Sequence, residues 1–204
     1  MTPLAFLSVA LVHLLAAVSP GPSFVLSVRT AAAEGMRPAA GLALGFGLGA
    51  AIWAAAALLG LALVFELAPV LLLALKVVGG AFLIWIAVQM WRHAREPLEE
   101  PAPGAAPRGT FVAIRLGLLT FLANPKAAVF FGAVFVGLVP ASADVADKAV
   151  VLLNVLWVEA AWYLVVAALF SRGWARQRYR RWKPVLDRVF GGALGLLGLR
   201  IALP

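Results

Sequence analysis

Long apolar runs, separated by short clusters of charge, fill almost the whole chain of 204 residues. Between Pro38 and Phe65 there are 28 residues without a charged side chain, and about 20 suffice for a helix to cross the hydrocarbon core of a bilayer. The pattern predicts six membrane spans: Leu4–Val28, Pro38–Phe65, Ala68–Trp91, Thr110–Val139, Ala149–Phe170 and Pro184–Leu203. Two of them are interrupted. Ser19-Pro20-Gly21-Pro22 breaks the first, and Asn124-Pro125-Lys126 breaks the fourth. Proline removes a backbone donor and clashes with the preceding turn, so each break should open a helix. Lipid cannot satisfy the freed carbonyls, so such breaks persist only where they line a cavity or pack inside protein.

The breaks are in register. A shift of 105 residues lays Pro20 on Pro125 and Phe6 on Phe111. At a shift of 112, Lys76-Val77-Val78-Gly79-Gly80-Ala81-Phe82 resembles Arg188-Val189-Phe190-Gly191-Gly192-Ala193-Leu194. Glu96–Pro107, rich in Pro, Ala and Glu, reads as a flexible linker. The chain is therefore expected to be one membrane domain with repeat halves 1–92 and 110–204 joined by a linker over 93–109. Three spans per half would place the copies in opposite orientations. The expected fold is an all-α integral membrane bundle of two inverted three-helix repeats, with helices 1 and 4 broken by their proline motifs. Matched breaks in such halves point to a transporter's binding site. The plainer alternative is a pair of simple proline kinks.

Composition supports the membrane reading: 64% of residues are hydrophobic and 13% charged, against about 25% charged in a soluble domain. The net charge of +8 is distributed as a topology signal. Thirteen basic residues fall in the connections after spans one, three and five, and three (Lys76, Lys148, Arg200) on the opposite side. That asymmetry puts the basic loops in the cytoplasm and both termini outside. Lys76 and Arg200 are expected to snorkel. Ser171–Lys183 interleaves basic residues with Trp174, Tyr179 and Trp182, the pattern of an anchor to lipid rather than of a nucleic-acid surface. The start of the chain has no basic region before Arg29, so the first span is expected to be retained rather than cleaved as a signal peptide. With no cysteine, disulfides, thiolate metal sites and thiol relays are excluded. No Walker-type loop, no His/Glu cluster with metal spacing and no His–Asp set beside Ser19 or Ser23 is present. Neither an enzyme nor a cofactor or metal is expected.

Polar residues inside the spans carry the remaining chemistry. Asn124 is a favoured N-cap and Pro125 then fills the first helical position; Pro22 can do the same in span one. Each restart would expose N–H groups and a positive helix end, which attract anions. Lys126 adds a full charge there, a placement that makes sense beside a carboxylate. Ser19 and Ser23 stand next to the first break as supporting groups. Glu159, between Trp157 and Trp162, costs about 2.5–3.5 kcal/mol to insert at mid-helix, so it needs a task or a partner. A buried carboxyl held protonated could carry the proton of coupled transport. The alternatives are an ion pair with Lys126 or a shallow position. Asn154 could offer its amide to the same cavity or bond a neighbouring helix. His13 reads first as a packing residue, with a proton-exchanging imidazole as the alternative. Gly41, Gly45, Gly47 and Gly49 predict close helix packing within the subunit, with a dimer face as the alternative.

These motifs together, with Asn124-Pro125-Lys126-Ala127 and the closing Asp187-Arg188-Val189…Gly191…Gly198-Leu199-Arg200, resemble the lysine exporter superfamily over nearly the whole chain, with the homoserine/threonine exporter branch nearest in pattern. The resemblance implies an inner-membrane exporter of amino acids or close derivatives driven by the proton motive force. It also implies that Pro20, Gly21, Pro22, Asn124, Pro125 and Lys126 form the central substrate site. Glu159 is not part of that implication; its candidacy for proton coupling rests on burial cost. A zwitterionic substrate suits this chemistry, its carboxylate at the helix ends and Lys126, its ammonium at carbonyls freed near Val18 and Ala123 or at Glu159. Competing readings are another small solute or cation, and a membrane scaffold. One intramembrane acid is too few for a hard-cation cage.

Overall fold

The computed structural model describes residues 1–19, 21–61, 69–96, 107–140 and 142–202. Pro20, the expected end of span two, most of the linker, and the side chains of Lys76 and Arg200 lie outside the described residues. Every regular element among those described is helical. Helix α1 (Pro3–Val18) opens with Thr2, whose hydroxyl accepts from the Ala5 N–H at 3.2 Å. Helix α2 (Pro22–Ala33) follows the first break, then α3 (Met36–Ala56), which ends in a π-helical turn over Ala57–Leu61. Helix α4 covers Pro69–Arg92. Helix α5 (Thr110–Leu122) and the short α6 (Pro125–Val129) flank the second break. From α6 the chain continues through a π-helical turn, Phe130–Val134, and a 3₁₀ turn, Phe135–Gly137. Helices α7 (Val145–Phe170) and α8 (Gly173–Ala202) complete the chain.

Met36–Gly60 and Val145–Phe170 are each long and apolar enough to cross a membrane. The two broken pairs also qualify when each is counted as one span, the arms being bent by 65° at the first break and 56° at the second. One boundary differs from expectation. The sequence placed the start of the last span at Pro184, after a polar anchor, but α8 begins at Gly173 and runs through Pro184. The carbonyl that Pro184 leaves without a donor belongs to Arg180, in a charge-dense stretch where water can serve it. The segment expected to be an anchor thus forms the first turns of the helix itself.

Helix α3 is the centre of the bundle and packs on both α5 and α7. Its glycines make this possible. A Cβ on Gly45 would fall well inside contact distance of the Ile114 carbonyl oxygen on α5, and one on Gly47 would lie 2.7 Å from the Leu156 oxygen on α7. The glycine stripe is therefore taken up by packing within the chain, the first of the two readings its spacing allowed. Helices α4 and α8 form a second pair. The Trp91 indole donates to the Arg188 carbonyl at 2.9 Å, and Lys183 reaches the His93 carbonyl at 3.0 Å and Asp187 at 2.7 Å.

Candidate functional site

In a continuous helix the Ala16 carbonyl would accept from the N–H of residue 20, and that of Val18 from residue 22. Both are prolines, so the sequence itself leaves these carbonyls without helical donors. Helix α1 ends at Val18, and the chain is extended at Ser19 (φ −62°, ψ 122°) and Gly21 (φ −165°) before Pro22 opens α2. For Ala16 the missing donor comes from the other half of the chain. The Lys126 ammonium, buried, donates to the Ala16 carbonyl at 2.8 Å and to the Ser19 carbonyl. Gly21 lies against the same side chain: a Cβ there would stand 3.3 Å from Lys126 Cδ.

The second break is tighter and caps itself. Asn124 is extended (φ −77°, ψ 111°), its Oδ1 accepts from the Lys126 N–H at 3.0 Å, and Pro125 takes the first helical position. This is the cap that the local sequence predicts. The other end of the amide turns to the first break, where Nδ2 donates to Ser23 Oγ at 3.1 Å. Two side chains of one break, Asn124 and Lys126, thus tie it to the other.

Glu159 is buried on α7, and its Oε2 lies 2.9 Å from Nε2 of His13 on α1, with both side chains 3% exposed or less. Glu159 thus meets His13 here rather than forming the Lys126 ion pair that the sequence allowed, and it is buried within the bundle. The His13 ring is stacked on Phe130, centroids 5.7 Å apart and planes at 24°, and tilted against Phe131 at 5.7 Å. Tyr163 follows Glu159 by four residues on the same face of α7 and packs on Phe46 at 4.6 Å.

These groups meet around one cavity bordered by His13, Asn124, Lys126, Glu159 and Tyr163, with Phe121, Phe130 and Phe131 as an aromatic wall. Of the residues singled out in the sequence, Asn124, Lys126 and Glu159 line it, together with His13. Ser23 and Gly21 stand behind them as supports, and Pro22 and Pro125 head the restarted helices. Ser19 contributes its carbonyl, while its hydroxyl is buried without a partner among the described residues. Asn154 does not border the cavity. Five residues separate it from Glu159, a rotation of about 140° around the helix, so the two cannot share a face. Sequence reasoning underrated His13, whose partner is 146 residues away, and passed over Tyr163, which the four-residue spacing from Glu159 could have revealed. The cavity therefore combines one fixed cation, one amide and one acid–imidazole pair in an otherwise apolar interior.

The chain is 34% identical over 200 residues to the threonine efflux protein of Escherichia coli strain K12, covering 97% of each chain. It is 33% identical over 202 residues to the threonine efflux protein of Salmonella typhi, again covering 97% of each. With the leucine efflux protein of Enterobacter sp. strain 638 it shares 27% identity over 179 residues, 87% of this chain and 83% of that one. No solved structure matches it. Residues 14–204 match the LysE type translocators, and the chain belongs to that family.

Proposed function

We propose that the protein exports amino acids or close derivatives of the threonine/homoserine type across the bacterial inner membrane, exchanging them for protons by alternating access. The observation that carries this reading is the convergence of both broken helices, through Lys126 and Asn124, on a single polar cavity. The names of the relatives, threonine efflux and leucine efflux, supply the substrate class.

The substrate carboxylate is assigned to Lys126 and the capped start of α6. Lys126 has three N–H donors; two are engaged by the carbonyls of Ala16 and Ser19, which leaves one for a carboxylate. Lys126 occupies the Ala16 and Ser19 carbonyls on either side of Val18, so the ammonium is assigned to Glu159, the other acceptor the sequence offered. Asn124 fixes the distance between the two breaks through Ser23. Pro20, Gly21, Pro22 and Pro125 keep the breaks open, and protons enter through Glu159.

The packing supports an inverted repeat of six spans. Span two (α3) packs on span five (α7), span three (α4) on span six (α8), and the breaks of spans one and four on each other, the pairings a two-fold axis through the membrane plane would generate. The contacts also sort by end. The Met1 amino group meets Asp147 at 2.6 Å at the end assigned to the outside. Glu34 meets Arg108 at 3.3 Å, and Lys183 meets the His93 carbonyl, at the end carrying the basic connections. Both termini then lie outside, and the bilayer and a small amino acid are the partners.

The test is release of preloaded labelled threonine, homoserine, lysine, leucine and a diamine from proteoliposomes under an imposed proton gradient. Gradient-dependent release of threonine or homoserine is expected. Folded protein that releases none of the five overturns the proposal.

A further inference from the structure

The exporter reading leaves open how a proton and a substrate are kept from crossing together. We propose that His13 and Glu159 act as one proton-holding unit, and that a proton on this unit and the ammonium of a substrate exclude one another. The inference rests on the export reading above and adds to it His13, the stoichiometry and the charge moved.

The geometry carries the argument. A carboxylate only accepts hydrogen bonds, so with Glu159 ionised the 2.9 Å contact places a proton on His13 Nε2. Nδ1 is then a bare acceptor, and it is buried with no partner among the described residues. A neutral imidazole with one free nitrogen, wired to an anion through the other, can accept one more proton as an imidazolium–carboxylate pair. The ring is held in place by its stack on Phe130, centroids 5.7 Å apart. The titratable groups that border the cavity with the pair are Lys126, from the restarted helix of the second break, and Tyr163, one turn along α7. With Lys126 cationic, Glu159 anionic and His13 and Tyr163 neutral, the site has zero net charge. A zwitterion leaves it at zero. A proton raises it to one positive charge and commits the carboxylate to the imidazolium. Proton and zwitterion together would place an ammonium beside an imidazolium in an apolar interior, where like charges repel strongly.

The cycle balances. Facing the cytoplasm, the unit releases its proton to the cytoplasm as the substrate's ammonium engages Glu159. Facing outward, the amino acid leaves with its own protons, and the unit takes one proton from outside. One neutral amino acid moves out, one proton moves in, and one positive charge enters per turnover. An inside-negative potential alone should therefore drive export.

The deciding experiment measures proton release on substrate binding. Purified protein in weakly buffered detergent solution near neutral pH is titrated with threonine while a soluble pH indicator is followed. The expected result is proton release on threonine binding by the wild type, approaching one proton per threonine as the pH of the titration is lowered in steps from neutral, and none at any step by His13→Gln, which keeps a hydrogen-bond donor toward Glu159 but cannot titrate. In proteoliposomes, His13→Gln should lose potential-driven uphill efflux at least tenfold more strongly than threonine exchange between equal concentrations. Wild-type protein that binds threonine without releasing a proton overturns the inference, as does a His13→Gln variant that still concentrates threonine under a potential. The wild-type measurement decides if the variant does not fold. Failure of the folded wild type to bind threonine is a distinct outcome: it overturns the export reading on which the inference stands.

Discussion

At the first break the chain runs extended through Ser19 and Gly21, and no side chain caps the helix that follows. At the second, Asn124 caps the restart and the following residue is a lysine whose ammonium leaves its own half of the chain altogether. The first break offers acceptors, the carbonyls of Ala16 and Ser19 and the hydroxyl of Ser23. The second offers the donors that meet them, Lys126 Nζ and Asn124 Nδ2. Two segments aligned by a common spacing have thus become complementary rather than equivalent. The proposed repeat would account for both helices being broken at matched positions. The division of donors and acceptors explains why the broken ends hold together without lipid or bulk water.

If that division is real, the lysine should be the most expensive residue to lose. Lys126→Met keeps the length of the side chain but strips two buried carbonyls of their donor and the cavity of its cation. Charge-assisted hydrogen bonds contribute about 1.5–3 kcal/mol each, so amino-acid efflux should fall by about a hundredfold or more, with a lower thermal midpoint in detergent. Lys126→Arg should not restore wild-type efflux, because a planar fork cannot reproduce the converging geometry of one ammonium on two carbonyls. Wild-type efflux by either variant would show that the breaks do not depend on this bridge.

Asn124 serves both breaks at once, and its two functions can be separated. Asn124→Asp keeps the oxygen that caps Lys126 N–H and loses the donor to Ser23. Asn124→Ala loses both. A lost cap costs about 0.5–2 kcal/mol, so the alanine variant should be the less stable of the two by thermal unfolding, and efflux should drop by about tenfold. Equal stability of the two variants would mean that the cap is idle and that only the bond to Ser23 matters.

How far this could be read from the chain depends on distance along it. The cap at Asn124 and the helix restart at Pro22 are local events, so a few consecutive residues announced them. The close approach of α3 to a neighbour was legible because glycines at four-residue spacing favour helix contact, although the spacing did not say whether the partner lay in the same chain. Glu159 announced that it needed a partner, but not which, since the energy of an acid in an apolar interior says nothing about whether a lysine or a histidine answers it. His13 is joined to it only by the fold, across 146 residues. The run of α8 through Pro184 was hidden for another reason: proline rules penalise a lost bond, and that penalty vanishes where polar surroundings supply the replacement.

Packing contrasts sharpen the same comparison at lower amplitude. Gly45→Ala would press a methyl into the backbone of α5 at Ile114 and force α3 away from the helix leading to the second break, a cost of about 1–3 kcal/mol. Gly60→Ala, with nothing within 4 Å, should stay within about 0.5 kcal/mol of wild type. Thermal unfolding of the pair measures the difference directly, and a mild Gly45→Ala would show that the close approach at Ile114 relaxes easily.

The smallest effect is expected where the motif looks most conspicuous. Gly21, between two prolines, invites the assumption that only glycine can occupy it, yet its φ of −165° is extended backbone open to any residue. What the position constrains is space. A Cβ there would stand 3.3 Å from Lys126 Cδ, a tight contact with the flexible stem of a side chain rather than with backbone. Lys126 need move only a few tenths of an ångström to accept it, while its ammonium remains on the carbonyls. Gly21→Ala should therefore change stability by less than about 1 kcal/mol and reduce efflux by no more than about threefold, whereas Gly21→Leu, which fills the space the lysine occupies, should behave like Lys126→Met. Parallel efflux assays of the two substitutions separate the explanations: a severe loss in the alanine variant would mean that the first break needs glycine's backbone freedom during the transport cycle, and a graded loss with side-chain size that it serves as the seat of the lysine.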